Sequence, residues 1–274
     1  MSNDFIMQMR PLFGKEEKKA ICEYMDEDGF ITEFKHTEKF EQMIADFTGA
    51  KHCIVVNNGT VSLTLAAMAV GVESGDEVIV PNYTMIATPN SIKMFGAIPV
   101  FVDVDLKTHN INADLIEEAI TPKTKAIMLA HTLGNPFNLK KIRELCDKYN
   151  LWLVEDCCDA LGAKYDDINV GTFGDIATCS FYPAHHITMG EGGAVFTKNS
   201  ELISIAKSFR DWGKDCYCEP GCDNTCGKRF DQNFANLPKG YDHKYTFSHL
   251  GYNLKISDMQ AACGLAQLER LPGF

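Results

Sequence analysis

The chain has 274 residues, 45% of them apolar, a formal net charge of −11 and eleven cysteines. That length and apolar fraction supply a sizeable buried core and exclude a disordered or low-complexity chain. The acidic balance, without any Lys/Arg-rich block, argues against nucleic acid and anionic membranes as partners and makes a small soluble substrate the expectation.

The N-terminal stretch MSNDFIMQMRPLFGKEEKKA has no basic segment running into a long apolar one, and no apolar run long enough to span a bilayer occurs anywhere. Cytoplasm is therefore the expected location. There thiols stay reduced, so the cysteines read as buried thiols and ligands and not as a disulfide framework.

Residues 1–50 read as an N-terminal helical segment, and from 51 to 213 helical and strand-like blocks alternate. The strand HCIVVN runs through NNGT (57–60) into the helix VSLTLAAMAVG (61–71). DEVIVP (76–81) is a strand, IATPNSIKMFG (86–96) a helix, AIPVFVDVD (97–105) a strand, ADLIEEAI (113–120) a helix and TKAIMLAHT (124–132) a strand. The helix KKIRELCDKY (140–149), the strand LWLVED (151–156), the strands IATCSFY (176–182) and GAVFT (193–197), and a helix over 200–213 follow. Strands that are continuous apolar runs are buried on both faces, which predicts an α/β body around a mostly parallel sheet. Residues 214–247 break the alternation as a cysteine-rich ordered excursion. ISDMQAACGLAQLERL (256–271) restores a helix with Ser257 as its N-cap.

Four constellations could carry chemistry. NNGT is a glycine turn feeding a helix N-terminus, a site for phosphate or simply a turn. In EDCCDALG (155–162) two carboxylates end a buried strand, where ligands gather in open α/β sheets. Asp156 there could face a protonated pyridine nitrogen, or cap a helix or pair with a cation. SFYPAHHITMGEGG (180–193) places Ser180 to bond a phosphate and His185 to act as general base, against an ordinary structural role for either histidine. Cys216, Cys218, Cys222 and Cys226 form CxCx3Cx3C without a CxxC pair, which favours iron–sulfur ligation, or a mixed set with Cys157 or Cys158, over structural zinc or free thiols.

Together NNGT, DEVIVP, PNYTMIAT (81–88), FVDVD, VEDCCDALGA, GTFGDIATCSF and ITMGEGG resemble the DegT/DnrJ/EryC1/StrS sugar aminotransferase family. The resemblance implies the large domain of a fold-type I pyridoxal-phosphate-dependent transferase, similar to aspartate aminotransferase. It implies that Asp156 holds the pyridine nitrogen, that Gly59, Thr60 and Ser180 hold the phosphate, and that Asp159 and Tyr182 lie near the cofactor. Met85 stands where the family usually puts an aromatic ring against it.

The family's cofactor-binding lysine falls on His185. That departure, with SFRDWGKDCYCEPGCDNTC and YDHKYTFSHLGYNLKISDMQAACGLAQLE, is similar to the dehydrase branch acting on CDP-4-keto-6-deoxyglucose. That likeness implies pyridoxamine 5′-phosphate as resident cofactor and C3 dehydration of a nucleotide-linked 4-keto-6-deoxyhexose for 3,6-dideoxysugar and lipopolysaccharide O-antigen biosynthesis. It further implies a [2Fe–2S] cluster on Cys158, Cys216, Cys218 and Cys226, which reproduce Cys-x57-Cys-x-Cys-x7-Cys and leave Cys222 over. An NADH-dependent iron–sulfur flavoprotein reductase and a homodimer are the implied partners. Residues 248–274 then read as a helix leading to a small C-terminal domain that this chain lacks. Rival expectations are a cluster-free GDP-4-keto-6-deoxymannose 3-dehydratase, an ordinary aminotransferase, and a non-enzymatic metal-binding protein on the same scaffold.

Overall fold

The computed structural model describes residues 9–27, 30–218, 222–234 and 236–273. Its elements run α1 (Lys15–Met25), α2 (Lys35–Thr48), β1 (His52–Val56), α3 (Gly59–Ala69), β2 (Glu77–Pro81), α4 (Ala87–Lys93), β3 (Ile98–Val102) and β4 (Thr124–Ala130). They continue with α5 (Leu139–Tyr149), β5 (Trp152–Asp156), β6 (Lys164–Tyr165), β7 (Ile168–Asn169), β8 (Ile176–Ser180), β9 (Gly193–Thr197), α6 (Ser200–Arg210) and α7 (Asp258–Arg270).

Seven strands form one sheet in the order β1-β9-β8-β5-β4-β2-β3. From β8 to β3 every pair is parallel, and β9 runs antiparallel to both its neighbours. Period-two alternation divides the core. Val78, Val80, Met128, Val154, Ile176 and Val195 pack with α3 and α6 on one face. Ile79, Ile127, Leu129, Leu153, Ala177 and Phe196 pack with α2, α5 and α7 on the other. This is the α/β sandwich that the apolar runs predict.

Two expectations change. Residues 113–120 form no α-helix, only a 3₁₀ turn at Glu117–Ala119 that ends with Ile120 extended. Thr121 precedes Pro122, which disfavours the helical region there, and eight residues barely nucleate a helix. β3 is not buried on both faces: as the edge strand it leaves Ile98 and Phe101 exposed. The small hairpin β6–β7 gave no apolar signal; its turn residues Asp166 and Asp167 both take positive φ, as a two-residue I′ turn requires.

Near the C-terminus, Ser257 caps α7 in a capping box with Gln260. Asp258 accepts the backbone N–H groups of Phe34 and Thr37, each at 2.8 Å, and so ties the start of α2 to α7. The excursion after α6 is closed at its ends by a bridge between Lys214 and Phe247. Gly213 makes that closure possible: its φ is +86°, and a Cβ there would stand 1.8 Å from the His249 carbonyl oxygen. Among the described residues no helix is long and apolar enough to cross a membrane.

Candidate active site

β4, β5 and β8 run parallel, so Ala130, Asp156 and Ser180 all lie at the carboxyl end of the sheet. β1 also ends there, because it opposes the antiparallel β9, and feeds α3 through Asn57 and Asn58. Asn58 caps α3 by accepting the Val61 N–H at 2.9 Å. Helix geometry gives the N–H groups of Gly59 and Thr60 no intrahelical acceptor. A Cβ on Gly59 would sit 2.6 Å from Ser180 Cβ, so glycine is what lets this helix end approach the tip of β8. The structure thus brings Gly59, Thr60 and Ser180 into one corner, with N–H donors, a hydroxyl and the positive end of a helix dipole.

The two carboxylates that end β5 face opposite ways. Glu155, fully buried, accepts N–H groups from Gly171 at 2.8 Å, Phe173 at 2.9 Å and Gly174 at 2.5 Å, and pairs with His131 Nε2 at 3.1 Å. Its valences go to shaping the 171–174 turn, which makes it structural. Asp156 lies on the α3 face, paired in register with Thr178, whose buried hydroxyl has no hydrogen-bond partner among the described residues. One Asp156 oxygen accepts the Cys158 N–H at 3.0 Å. Burial raises the Asp156 carboxyl above its ordinary value, opposed by hydrogen bonds from the Cys158 thiol and N–H. A buried carboxylate in that state fits a protonated ring nitrogen as its cationic partner.

His185, partly buried in the loop between β8 and β9, sets Nδ1 3.0 Å from Asp159 Oδ1. That bond is the largest influence on Asp159 and holds its carboxyl below the usual range. The neighbouring His186 is lowered mainly by burial. No lysine occurs between residues 180 and 193. The loop is anchored by Thr188, which donates to the Phe181 carbonyl at 2.9 Å. Tyr182 and Met85 present exposed side chains, the latter 71% accessible. The donor corner, the buried Asp156 and a loop without lysine suit a phosphorylated pyridine held without a covalent link.

The thiols divide into two groups. Cys157 is buried on the Glu155 side, and burial drives its thiol well above the ordinary value. Cys158 is likewise raised by burial and by the Asp156 carboxylate to which its thiol is bonded. In the excursion, Cys216 accepts the Cys218 N–H and donates its thiol to the Cys218 sulfur. The Cys218 sulfur also receives the Thr225 hydroxyl and the N–H groups of Thr225 and Cys226, and its thiol is lowered to about 7, the Thr225 hydroxyl being the largest cause. Cys226 receives the Lys228 N–H at 3.4 Å and faces His243 Nε2 at 3.6 Å. Burial raises the Cys216 thiol, whereas the donors around the Cys218 sulfur suit a thiolate, which is the form a metal binds.

Among the described residues, no three of Cys158, Cys216, Cys218 and Cys226 have their sulfurs within 4.8 Å of one another; the only such group of metal-ligating types is His131, Glu155 and Cys157. A two-iron cluster divides its four ligands two and two, so it does not require a three-thiol group. Cys222 is exposed. Sequence alone marks neither the His131–Glu155 pair nor His243. Position at a strand end was the available signal for His131, whereas nothing in the sequence pairs His243 with Cys226.

The DegT/DnrJ/EryC1/StrS aminotransferase family profile matches residues 11–274. The chain is 60% identical over 255 residues to the lipopolysaccharide biosynthesis protein RfbH of Salmonella typhimurium, covering 90% of this chain and 58% of that protein. It is 50% identical over 247 residues to dTDP-4-dehydro-2,6-dideoxy-D-glucose 3-dehydratase of Saccharopolyspora spinosa, covering 87% of this chain and 54% of that enzyme. Among solved structures it superposes on a variant of GDP-4-keto-6-deoxymannose-3-dehydratase with bound GDP-perosamine at a TM-score of 0.84 and 28% identity, covering 97% of this chain and 68% of that one. The chain therefore spans somewhat more than half the length of these two curated relatives.

Proposed function

This chain belongs to the DegT/DnrJ/EryC1/StrS aminotransferase family, and from that premise we propose that it serves pyridoxamine-phosphate-dependent C3 dehydration of a nucleotide-linked 4-keto-6-deoxyhexose. The expected substrate is CDP-4-keto-6-deoxyglucose and the expected route 3,6-dideoxysugar formation for lipopolysaccharide. One observation carries the reading: the loop position of the family's lysine holds His185, oriented by Asp159 at 3.0 Å.

When bound, pyridoxamine phosphate supplies an amine for the sugar ketone and a ring that accepts an electron pair. Gly59, Thr60 and Ser180 hold its phosphate through N–H and hydroxyl donors. Asp156 keeps a proton on the ring nitrogen, and its burial gives that ion pair a low-dielectric setting. Asp159 accepts the Nδ1 proton of His185, which leaves Nε2 free to take a proton from carbon and to deliver one to the departing C3 hydroxyl. A lysine here would hold the aldehyde form instead.

Removing that hydroxyl as the 3-deoxy product consumes two electrons. We assign their delivery to a [2Fe–2S] cluster on Cys158, Cys216, Cys218 and Cys226, fed by an NADH-dependent iron–sulfur flavoprotein reductase. Support comes from the N–H donors around the excursion sulfurs. A homodimer in the cytoplasm completes the reading; Tyr83, Met85 and Ile86, exposed between β2 and α4, supply apolar surface for a second copy.

A second reading, a cluster-free dehydratase, is favoured by one observation: the Cys158 thiol is already engaged by Asp156. Anaerobic purification followed by assay of iron, sulfide and pyridoxamine phosphate separates the two. The first reading expects all three, with iron lost in Cys158→Ala and kept in Cys222→Ala. Stoichiometric pyridoxamine phosphate with no iron selects the second, and a lysine-bound pyridoxal phosphate band sinks both.

A further inference from the structure

Among the described residues of the cysteine-rich excursion His243 is the least exposed ionisable side chain, 1% accessible, and neither the sugar chemistry nor the ligand set uses it. It opens a 3₁₀ turn, His243–Tyr245, capped by Asp242. The turn is held from both sides. Asp242 forks onto Arg229 with contacts of 2.9 and 2.8 Å, and the His243 N–H donates to the Arg229 carbonyl at 3.0 Å. The imidazole is flanked by Phe234, nearly parallel with centroids 6.4 Å apart, and by the edge of Tyr217 at 6.5 Å. Its Nε2 faces the Cys226 sulfur at 3.6 Å, while Nδ1 is buried without a partner among the described residues.

These facts favour one tautomer. A proton on Nδ1 would leave a buried N–H without an acceptor and, once Cys226 is a metal-bound thiolate with no S–H to donate, would set the Nε2 lone pair against the lone pairs of sulfur. A proton on Nε2 points at sulfur and leaves only an unfilled acceptor, the less costly orphan. Cys226 then receives two N–H donors, from His243 and from the Lys228 backbone at 3.4 Å. A thiol needs neither; a metal-bound thiolate uses both, because N–H dipoles offset charge on sulfur and favour the more negative, reduced state of an attached iron centre.

We propose that His243 is a positioning residue for the iron centre: its Nε2–H donates to the Cys226 sulfur, fixes that ligand's orientation and raises the reduction potential of the metal it holds. The inference rests on the iron–sulfur reading above, and its test separates the two.

The chain would be reconstituted anaerobically with ferrous iron and sulfide as wild type, His243→Phe and His243→Gln. Phenylalanine keeps the flat ring beside Phe234 and removes the donor; glutamine carries an amide N–H near the Nε2 position. Iron retention against a chelator, the reduction potential and the iron–sulfur(Cys) stretching bands would be read, with pyridoxamine phosphate binding as the check that each variant folds. His243→Phe is expected to hold iron about 10- to 100-fold more weakly and to shift the potential to more negative values. His243→Gln is expected to stay near wild type in both. Equal behaviour of His243→Phe and wild type overturns the inference while leaving the cluster intact. Equal loss by both variants reduces His243 to packing and also overturns it. A wild type that takes up no iron removes the cluster reading itself, and the inference with it.

Discussion

His185 Nδ1 lies 3.0 Å from Asp159 Oδ1, and this contact decides which ring nitrogen is free to move a proton. With Nδ1 committed, Nε2 is the atom left for the proposed proton transfer. General acid–base groups of this kind contribute roughly 100- to 10,000-fold, and their orienting partner a smaller share. Asp159→Asn is expected to lower kcat by about 10-fold or more with KM little changed, and His185→Asn to lower it by about 100-fold or more. Steady-state kinetics on the 4-keto sugar measure both; an Asp159→Asn enzyme that changes KM alone would show that the pair binds substrate and does not orient a base.

Gly59 and Ser180 approach so closely that a methyl group between them has no room, its nearest contact being 2.6 Å. Gly59→Ala must push the α3 N-terminus off β8 and spread the N–H groups away from the hydroxyl. Overpacking of this kind costs about 1–3 kcal/mol, and pyridoxamine phosphate binding is expected to weaken at least about 10-fold, since 1.4 kcal/mol is a factor of ten. Isothermal titration checks it. Unchanged affinity would place the phosphate elsewhere.

Burial raises the Asp156 carboxyl above its ordinary value. The sign follows from linkage: a raised folded value favours the protonated form, so its stabilising contribution is complete below the unfolded value, about 4, and is lost as pH rises through the folded value. A cation bound opposite the carboxylate offsets that loss. The gain in Tm on adding pyridoxamine phosphate should therefore grow with pH across this window, and Asp156→Asn should flatten the dependence. A pH-independent gain in the unmodified chain would contradict the pairing.

Arg210 is buried to 1% exposure at the end of α6, paired with Glu41 at 3.1 Å, Asp211 at 3.2 Å and also Glu33, and it donates to the Val55 carbonyl at 3.3 Å. It joins β1, α2 and the segment entering the excursion. Removing the cation strands buried carboxylates, which costs about 3–5 kcal/mol. Arg210→Met should lower the urea midpoint accordingly, and a loss below about 1 kcal/mol would mean that water already screens the cluster.

Much of the fold was legible because apolar runs of strand length have one home, a sheet covered on both faces. The limits of that signal are local. ADLIEEAI has helical spacing, but Pro122 and its short length outweigh the pattern. The edge position of β3 depends on strand order, which periodicity does not encode. In the candidate site, NNGT, Asp156, Ser180 and His185 could be singled out because turn chemistry and strand ends are sequence-local. That Asp156 and Glu155 face opposite sides follows from the two-residue period, yet which side holds the ligand needs the placement of α3. The Cys226–His243 contact joins residues 17 positions apart in a segment that has no α-helix or strand among its described residues, and no periodicity announces such a pair.

The proposed activity is removal of the C3 hydroxyl by a lysine-free site. The most direct measurement is solvent oxygen exchange: the chain, loaded with pyridoxamine phosphate and kept apart from any reductase, is incubated with CDP-4-keto-6-deoxyglucose in isotopically labelled water. Reversible dehydration predicts label at C3, lost in His185→Asn. An unlabelled C3, or an amino sugar formed in its place, would contradict the account.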